Sequence, residues 1–165
     1  MRALPSLGLI LLAAACSGAD DRSTAAFTAD GQVIAMSGGK GGASNACFSC
    51  HGLDGMGDGV SVPRLAGLDA GYLQKQLEDY ANRLRDDPAM YEAARWLDHD
   101  DRRAVAAWYA ALPASSGPGP STPPPAVWLR GRPDAGVAAC AACRGAQGHG
   151  VGAVYRAVAG QPAAY

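Results

Sequence analysis

Cys47-Phe48-Ser49-Cys50-His51 sets two thiols three residues apart with an imidazole directly behind them, and Cys140 and Cys143 repeat the spacing with Arg144 where the imidazole would be. Paired cysteines fit three chemistries: a disulfide, a four-sulfur zinc site, or covalent haem through C-x-x-C-H. The residue after the second cysteine favours haem for the first pair. On one helical turn, positions i and i+3 share a face, so both sulfurs reach one porphyrin edge, and His51 follows where it can turn beneath the ring. Zinc is disfavoured because the 89 residues between the pairs far exceed the 15–20 or so of a zinc ribbon. Arg144 is always protonated and offers no lone pair to iron, so the second motif is degenerate. A single covalent haem on Cys47 and Cys50 is expected.

The rest of the composition points the same way. Of 165 residues, 35 are Ala and 22 Gly, while Leu, Ile, Val and Phe together number 27. So few bulky aliphatics leave a marginal core for a domain of this size, and a bound apolar group is expected to supply the missing interior. With 14 basic and 15 acidic residues the net charge is −1, which excludes a phosphate-binding surface and hence nucleic acid as a partner. Sliding the chain by 93 residues superimposes positions 46–72 on 139–165 without a gap and gives eleven identities, among them both cysteine pairs, five glycines and Tyr72 with Tyr165. That is the mark of a duplication. Between the copies, six of the thirteen residues from Pro113 to Pro125 are proline, an extended linker. The expected organisation is a first unit over 31–112 and an incomplete second copy over 126–165, which is expected to lack a stable fold of its own.

The elements that must position the motif are helices. A loose, glycine-weakened helix is expected from Gln32 to Cys50. Asp69 caps a helix whose apolar positions Leu73, Leu77, Tyr80 and Leu84 follow a 3.6-residue period. Asp87-Pro88 opens a short helix, and Asp98 with Asp101 opens a last one carrying Val105, Trp108, Tyr109 and Leu112 before Pro113 stops it. Trp108 and Tyr109 are read as core. The fold class is all-α, with about four helices and long loops in the first unit.

Residues 1–15 have the shape of a secretory signal, Met1-Arg2 followed by the apolar run Leu7 to Ala15. Ala13, Ala14 and Ala15 before Cys16 resemble the lipobox of bacterial lipoproteins. Acylation at Cys16, a tether over 16–30, a periplasmic location and a possible lipid anchor to the membrane are the resulting expectations.

Cys47-Phe48-Ser49-Cys50-His51-Gly52, Pro63-Arg64-Leu65-Ala66-Gly67, Tyr72-Leu73, Gln76-Leu77, Met90 and the Leu97-Asp98 to Trp108-Tyr109 helix together resemble a class I cytochrome c domain. The whole chain resembles the two-haem periplasmic carriers built from tandem copies. The resemblance implies electron transfer without catalysis through a haem c with His51 on one face and a methionine on the other, and it gives Pro63 the role of fixing the His51 ring through its carbonyl. Met36 precedes the motif and Met56 lies five residues past His51, whereas Met90 comes after a full helix and can reach the opposite face. His99 is a weak rival among acids, and His149 reads as a solvated loop residue. Arg64, Tyr72 and Gln76 are candidates to meet the haem carboxylates, although Arg64 reads equally well as a surface cation. The family suggests a quinol-oxidising complex as donor and a terminal oxidase or periplasmic reductase as acceptor. Two other readings remain: a haem enzyme or gas sensor with an open sixth position, and a thiol redox module using Cys140 and Cys143.

Overall fold

The computed structural model describes residues 30–114, 123–162 and 164–165. The leader, Cys16, most of the tether and most of the proline-rich linker lie outside the described residues. Among the described residues no helix is long and apolar enough to cross a membrane. The chain is all-α: α1 covers 30–37, followed by α2 (Phe48–His51), α3 (Ala70–Ala81), α4 (Pro88–Ala94), α5 (His99–Ala111), α6 (Ala126–Arg130) and α7 (Ala141–Arg144). Among the described residues there is no strand, only two isolated bridges, Arg132 with Val137 and Val151 with Tyr155.

The helix expected to run unbroken from Gln32 to Cys50 is interrupted. α1 ends at residue 37. Gly38 and Gly42 then take φ of 76° and 75°, a left-handed backbone that a right-handed helix cannot pass through. Two 3-10 turns, Gly39–Gly41 and Ala43–Asn45, carry the chain round to α2. The caps expected from the sequence are all present. Asp69 accepts from the Tyr72 N–H, Asp87 from the Met90 N–H, and Asp98 with Asp101 forms a reciprocal capping box at the head of α5.

α3 stops before Leu84, which is 79% exposed and off the buried face expected for it. Arg83 adopts φ 58°, its N–H bonds Tyr80 O, and the Leu84 N–H reaches back to Asp79 O. This is a Schellman ending with an arginine where glycine is usual. The Arg83 guanidinium lies 3.7 Å above the Tyr91 ring of α4, an attraction that offsets the cost of its backbone.

α3 packs on both α4 and α5. Trp108 meets Tyr109 edge to face at 4.5 Å. Among the described residues, seven of the fifteen buried apolar ones are alanine, so the aliphatic core reduces to Leu68, Leu73, Leu97 and Val105. α1 crosses α5 at Gly31, where a Cβ would sit 2.1 Å from Ala104 O and 2.8 Å from Trp108 Cβ. Gly31→Ala is therefore expected to cost about 1–3 kcal/mol by forcing α1 off α5. A thermal melt checks this, and an unchanged midpoint contradicts the close crossing.

Candidate functional site

α2 is a single turn built on Cys47. Its carbonyl accepts from the N–H groups of Cys50 (3.3 Å) and His51 (3.0 Å), and Gly52, with φ 78°, ends the turn. Burial pushes the Cys47 thiol up to about 11, keeping that sulfur neutral. The His51 side chain is enclosed, with the residue 6% exposed. Its Nδ1 lies 2.9 Å from the Pro63 carbonyl oxygen. A carbonyl only accepts, so Nδ1 carries the proton and Nε2 keeps its lone pair. Burial lowers the His51 pKa, outweighing the Pro63 contact that raises it, which favours the neutral, ligating form.

Pro63 is held by the loop before it. Asp58 accepts from the N–H groups of Val60, Ser61 and Val62 at 2.7–2.8 Å and from the Ser61 hydroxyl. These backbone bonds hold its pKa down to about 2. A depressed carboxylate stabilises the folded loop above the ordinary aspartate value of about 4, and that contribution is lost as pH falls through about 2. The Val60 and Val62 amide resonances are expected to titrate near 2, and Asp58→Ala to abolish the transition. A midpoint near 4 contradicts the network.

His51 opens onto a cavity of about 550 Å³. Its wall brings together every site residue expected in the first unit: Cys47, Cys50, His51, Pro63, Arg64, Tyr72, Gln76 and Met90. Met90 enters on α4, half-buried, its N–H fixed by the Asp87 carboxylate at 2.9 Å. Met36 packs against the core and, like Met56, does not border the cavity. His99 is exposed beside Glu78. Arg64 is not a surface cation: it is 5% exposed, with its two terminal nitrogens donating to the carbonyls of Ala66 and Ala159.

Tyr80, Arg85, Arg156 and Gln161 also stand on this wall; Tyr80 is legible as part of the apolar face of α3, whereas no sequence signal points to Arg85 or Arg156. Tyr165, which borders it too, carries a weak signal as the counterpart of Tyr72. Burial pushes the Tyr80 hydroxyl up to about 12. Tyr109 is pushed up further by the same cause, so both phenols stay neutral.

The second copy retains the first copy's backbone in the same register. Gly57 bonds His51 O at 2.8 Å and Gly150 bonds Arg144 O at 2.9 Å; Leu65 and Ala66 bond Gly55 O as Val158 and Ala159 bond Gly148 O. A Cβ on Gly57 would lie 2.2 Å from Val62 O, and one on Gly150 would lie 2.2 Å from Tyr155 O, the equivalent atom. Even the position after the second cysteine keeps its contact: Arg144 donates to Arg156 O at 2.7 Å as His51 does to Pro63 O. The geometry survives there without a lone pair. Cys140 and Cys143 are exposed and lie apart from the cavity wall.

The profile of the Cytochrome c family matches residues 36–112. A "Thiosulfate dehydrogenase electron acceptor" of Stutzerimonas stutzeri is 42% identical over 150 residues, covering 87% of this chain and 69% of that protein. The chain belongs to the cytochrome c family. Among solved structures it is similar to cytochrome c4 of Acidithiobacillus ferrooxidans, 30% identical with a TM-score of 0.60, covering 72% of this chain and 75% of that one. It is also similar to the thiosulfate dehydrogenase (TsdBA) of Marichromatium purpuratum, 37% identical with a TM-score of 0.69, covering 84% of this chain and 31% of that one. This cytochrome is thus a class I cytochrome c related to the c4 group, and it is an electron carrier.

Haem c, which the family attaches through C-x-x-C-H, fits the residues present. The cavity borders both thiols of the first motif, an imidazole with a free lone pair and a thioether, while Arg64 Nε and Tyr109 Oη are buried without an acceptor or donor among the described residues.

Proposed function

We propose that this cytochrome accepts electrons from a thiosulfate dehydrogenase and passes them on singly through one haem c, bound in the unit over 31–112 and ligated by His51 and Met90. The observation that carries the ligand assignment is that His51, with Nε2 free, and Met90 border one cavity from different helices. The names of the Stutzerimonas relative and of the Marichromatium structure support the donor. A dehydrogenase must hand its electrons to an acceptor, and a terminal oxidase or periplasmic reductase is the matching class downstream of this chain.

Bound haem supplies an iron centre that exchanges one electron without making or breaking a substrate bond. Cys47 and Cys50 anchor it, the second of them exposed where a partner can approach. Pro63 O orients the His51 ring and raises its basicity. The Met90 thioether, a soft donor, favours the reduced state and raises the potential. Tyr72, Leu73 and Leu77 line the wall with largely apolar surface, Tyr72 and Leu73 being buried. The leader and Cys16 support a periplasmic site of action with a lipid tether.

The test mixes the oxidised holoprotein with a purified thiosulfate dehydrogenase and thiosulfate, and tracks its absorption spectrum. Reduction that requires the enzyme supports the donor. Reduction no faster than with thiosulfate alone overturns it.

A further inference from the structure

With Arg144 in the ligand position, the second copy has no evident electron to carry, yet it is built into the first copy's cavity. Gln161 pairs with the Arg64 backbone in both directions, its Oε1 accepting from Arg64 N–H and its Nε2 donating to Arg64 O, each at 3.0 Å. Ala157 joins the first copy's hydrophobic core. Arg85 donates to the Tyr165 hydroxyl at 2.8 Å, and the Arg156 guanidinium lies 4.5 Å from the Tyr165 ring centroid.

Guanidinium groups outnumber carboxylates on this wall. Arg64, Arg85 and Arg156 all border the cavity, and among the described residues none of them ion-pairs with a carboxylate. The two acids on the same wall are committed elsewhere, Asp87 to the Met90 N–H and Glu92 to Arg95. Arg64 Nε is buried with no acceptor among the described residues. A wall that gathers guanidinium groups and leaves a buried N–H unpaired is matched to carboxylates that enter with a ligand.

We propose that the second copy is a cap for the first copy's haem: Arg156 and Tyr165, held in register by Gln161, join Arg64 and Arg85 to bind the haem propionates and set the potential. The haemless repeat thereby acts on electron transfer without carrying an electron. This rests on the haem reading above. A cation beside the propionates disfavours the ferric state, which bears one more positive charge than the ferrous state, so removing it shifts the equilibrium toward ferric.

The experiment is a spectroelectrochemical titration of the full-length holoprotein and three variants. Arg156→Gln is expected to raise the ferric-to-ferrous ratio at a fixed potential about threefold to tenfold, or about 30–60 mV at 59 mV per tenfold. Arg132→Gln makes the same charge change at an exposed position away from the cavity and is expected to leave the ratio unchanged. Gln161→Ala is expected to loosen the second copy, raising protease cleavage within 126–162 of the holoprotein, and to lower the potential in the same direction. An Arg156→Gln potential equal to that of Arg132→Gln, or a released second copy with an unaltered potential, overturns the proposal while leaving the carrier reading standing. A colourless full-length protein overturns the haem reading itself.

Discussion

Replacing His51 with Arg is expected to lower the haem content per chain at least tenfold. The substitution gives the first copy the residue that the second already has, and the second copy displays the structural consequence. Arg144 keeps the hydrogen bond to the carbonyl twelve residues on, at 2.7 Å, and the turn around it persists. His51→Arg therefore retains the Pro63 contact while removing the imidazole lone pair. The loss would come from ligation and not from a collapsed loop. Haem absorbance divided by protein concentration checks it, with Arg144→Gln as the control expected to match the unaltered protein. Haem content near the unaltered level in His51→Arg would show that His51 is not the ligand.

Met90→Ala carries the second large effect. The thioether is the soft donor bordering the cavity from α4, and no other methionine among the described residues borders it. Its removal is expected to convert a low-spin spectrum to a high-spin one. The ferric-to-ferrous ratio at a fixed potential should rise on the order of a hundredfold, roughly 120 mV at 59 mV per tenfold, because axial ligand identity is the strongest lever on potential. The cost in stability is smaller, about 1–2 kcal/mol, since Met90 is only half-buried and leaves little cavity of its own. A protein that stays low-spin would place the sixth ligand elsewhere, and one that is high-spin before the substitution would restore the open-site reading.

Local chemistry is the most legible part of the sequence. Asp69, Asp87 and Asp98 are caps because a carboxylate before an amphipathic run satisfies the first free N–H groups, and that needs no knowledge of the fold. The helical spacing of Leu73, Leu77 and Tyr80 places α3 for the same reason. Sequence and structure part where backbone conformation is decided by more than periodicity. Gly38 and Gly42 are visible as weak helix formers, yet their positive φ, which turns a weak helix into two 3-10 turns, is set by the tight return of the chain toward α2. Leu84 fits the α3 pattern but lies past an Arg83 ending that no glycine announces.

Within the candidate site, the first copy's motif residues and Met90 are legible, and the residues supplied by the second copy are not. Arg156 and Gln161 reach the cavity only through the packing of one copy on the other, and Arg85 is held on the wall by Gln76 and Tyr165. Arg64 resembles an exposed cation in sequence because its partners, Ala159 and Gln161, lie 95 and 97 residues away. Duplication is legible from eleven coincidences in one register; the docking of the copies, which is not encoded in that register, is not.

Intact mass and absorption of the purified full-length chain test the central claim most directly. One covalently bound haem per chain and a low-spin spectrum are expected. Two haems would contradict the exclusion of Arg144, and a colourless chain that is nevertheless folded and melts cooperatively would contradict the claim that a cofactor fills the 550 Å³ interior.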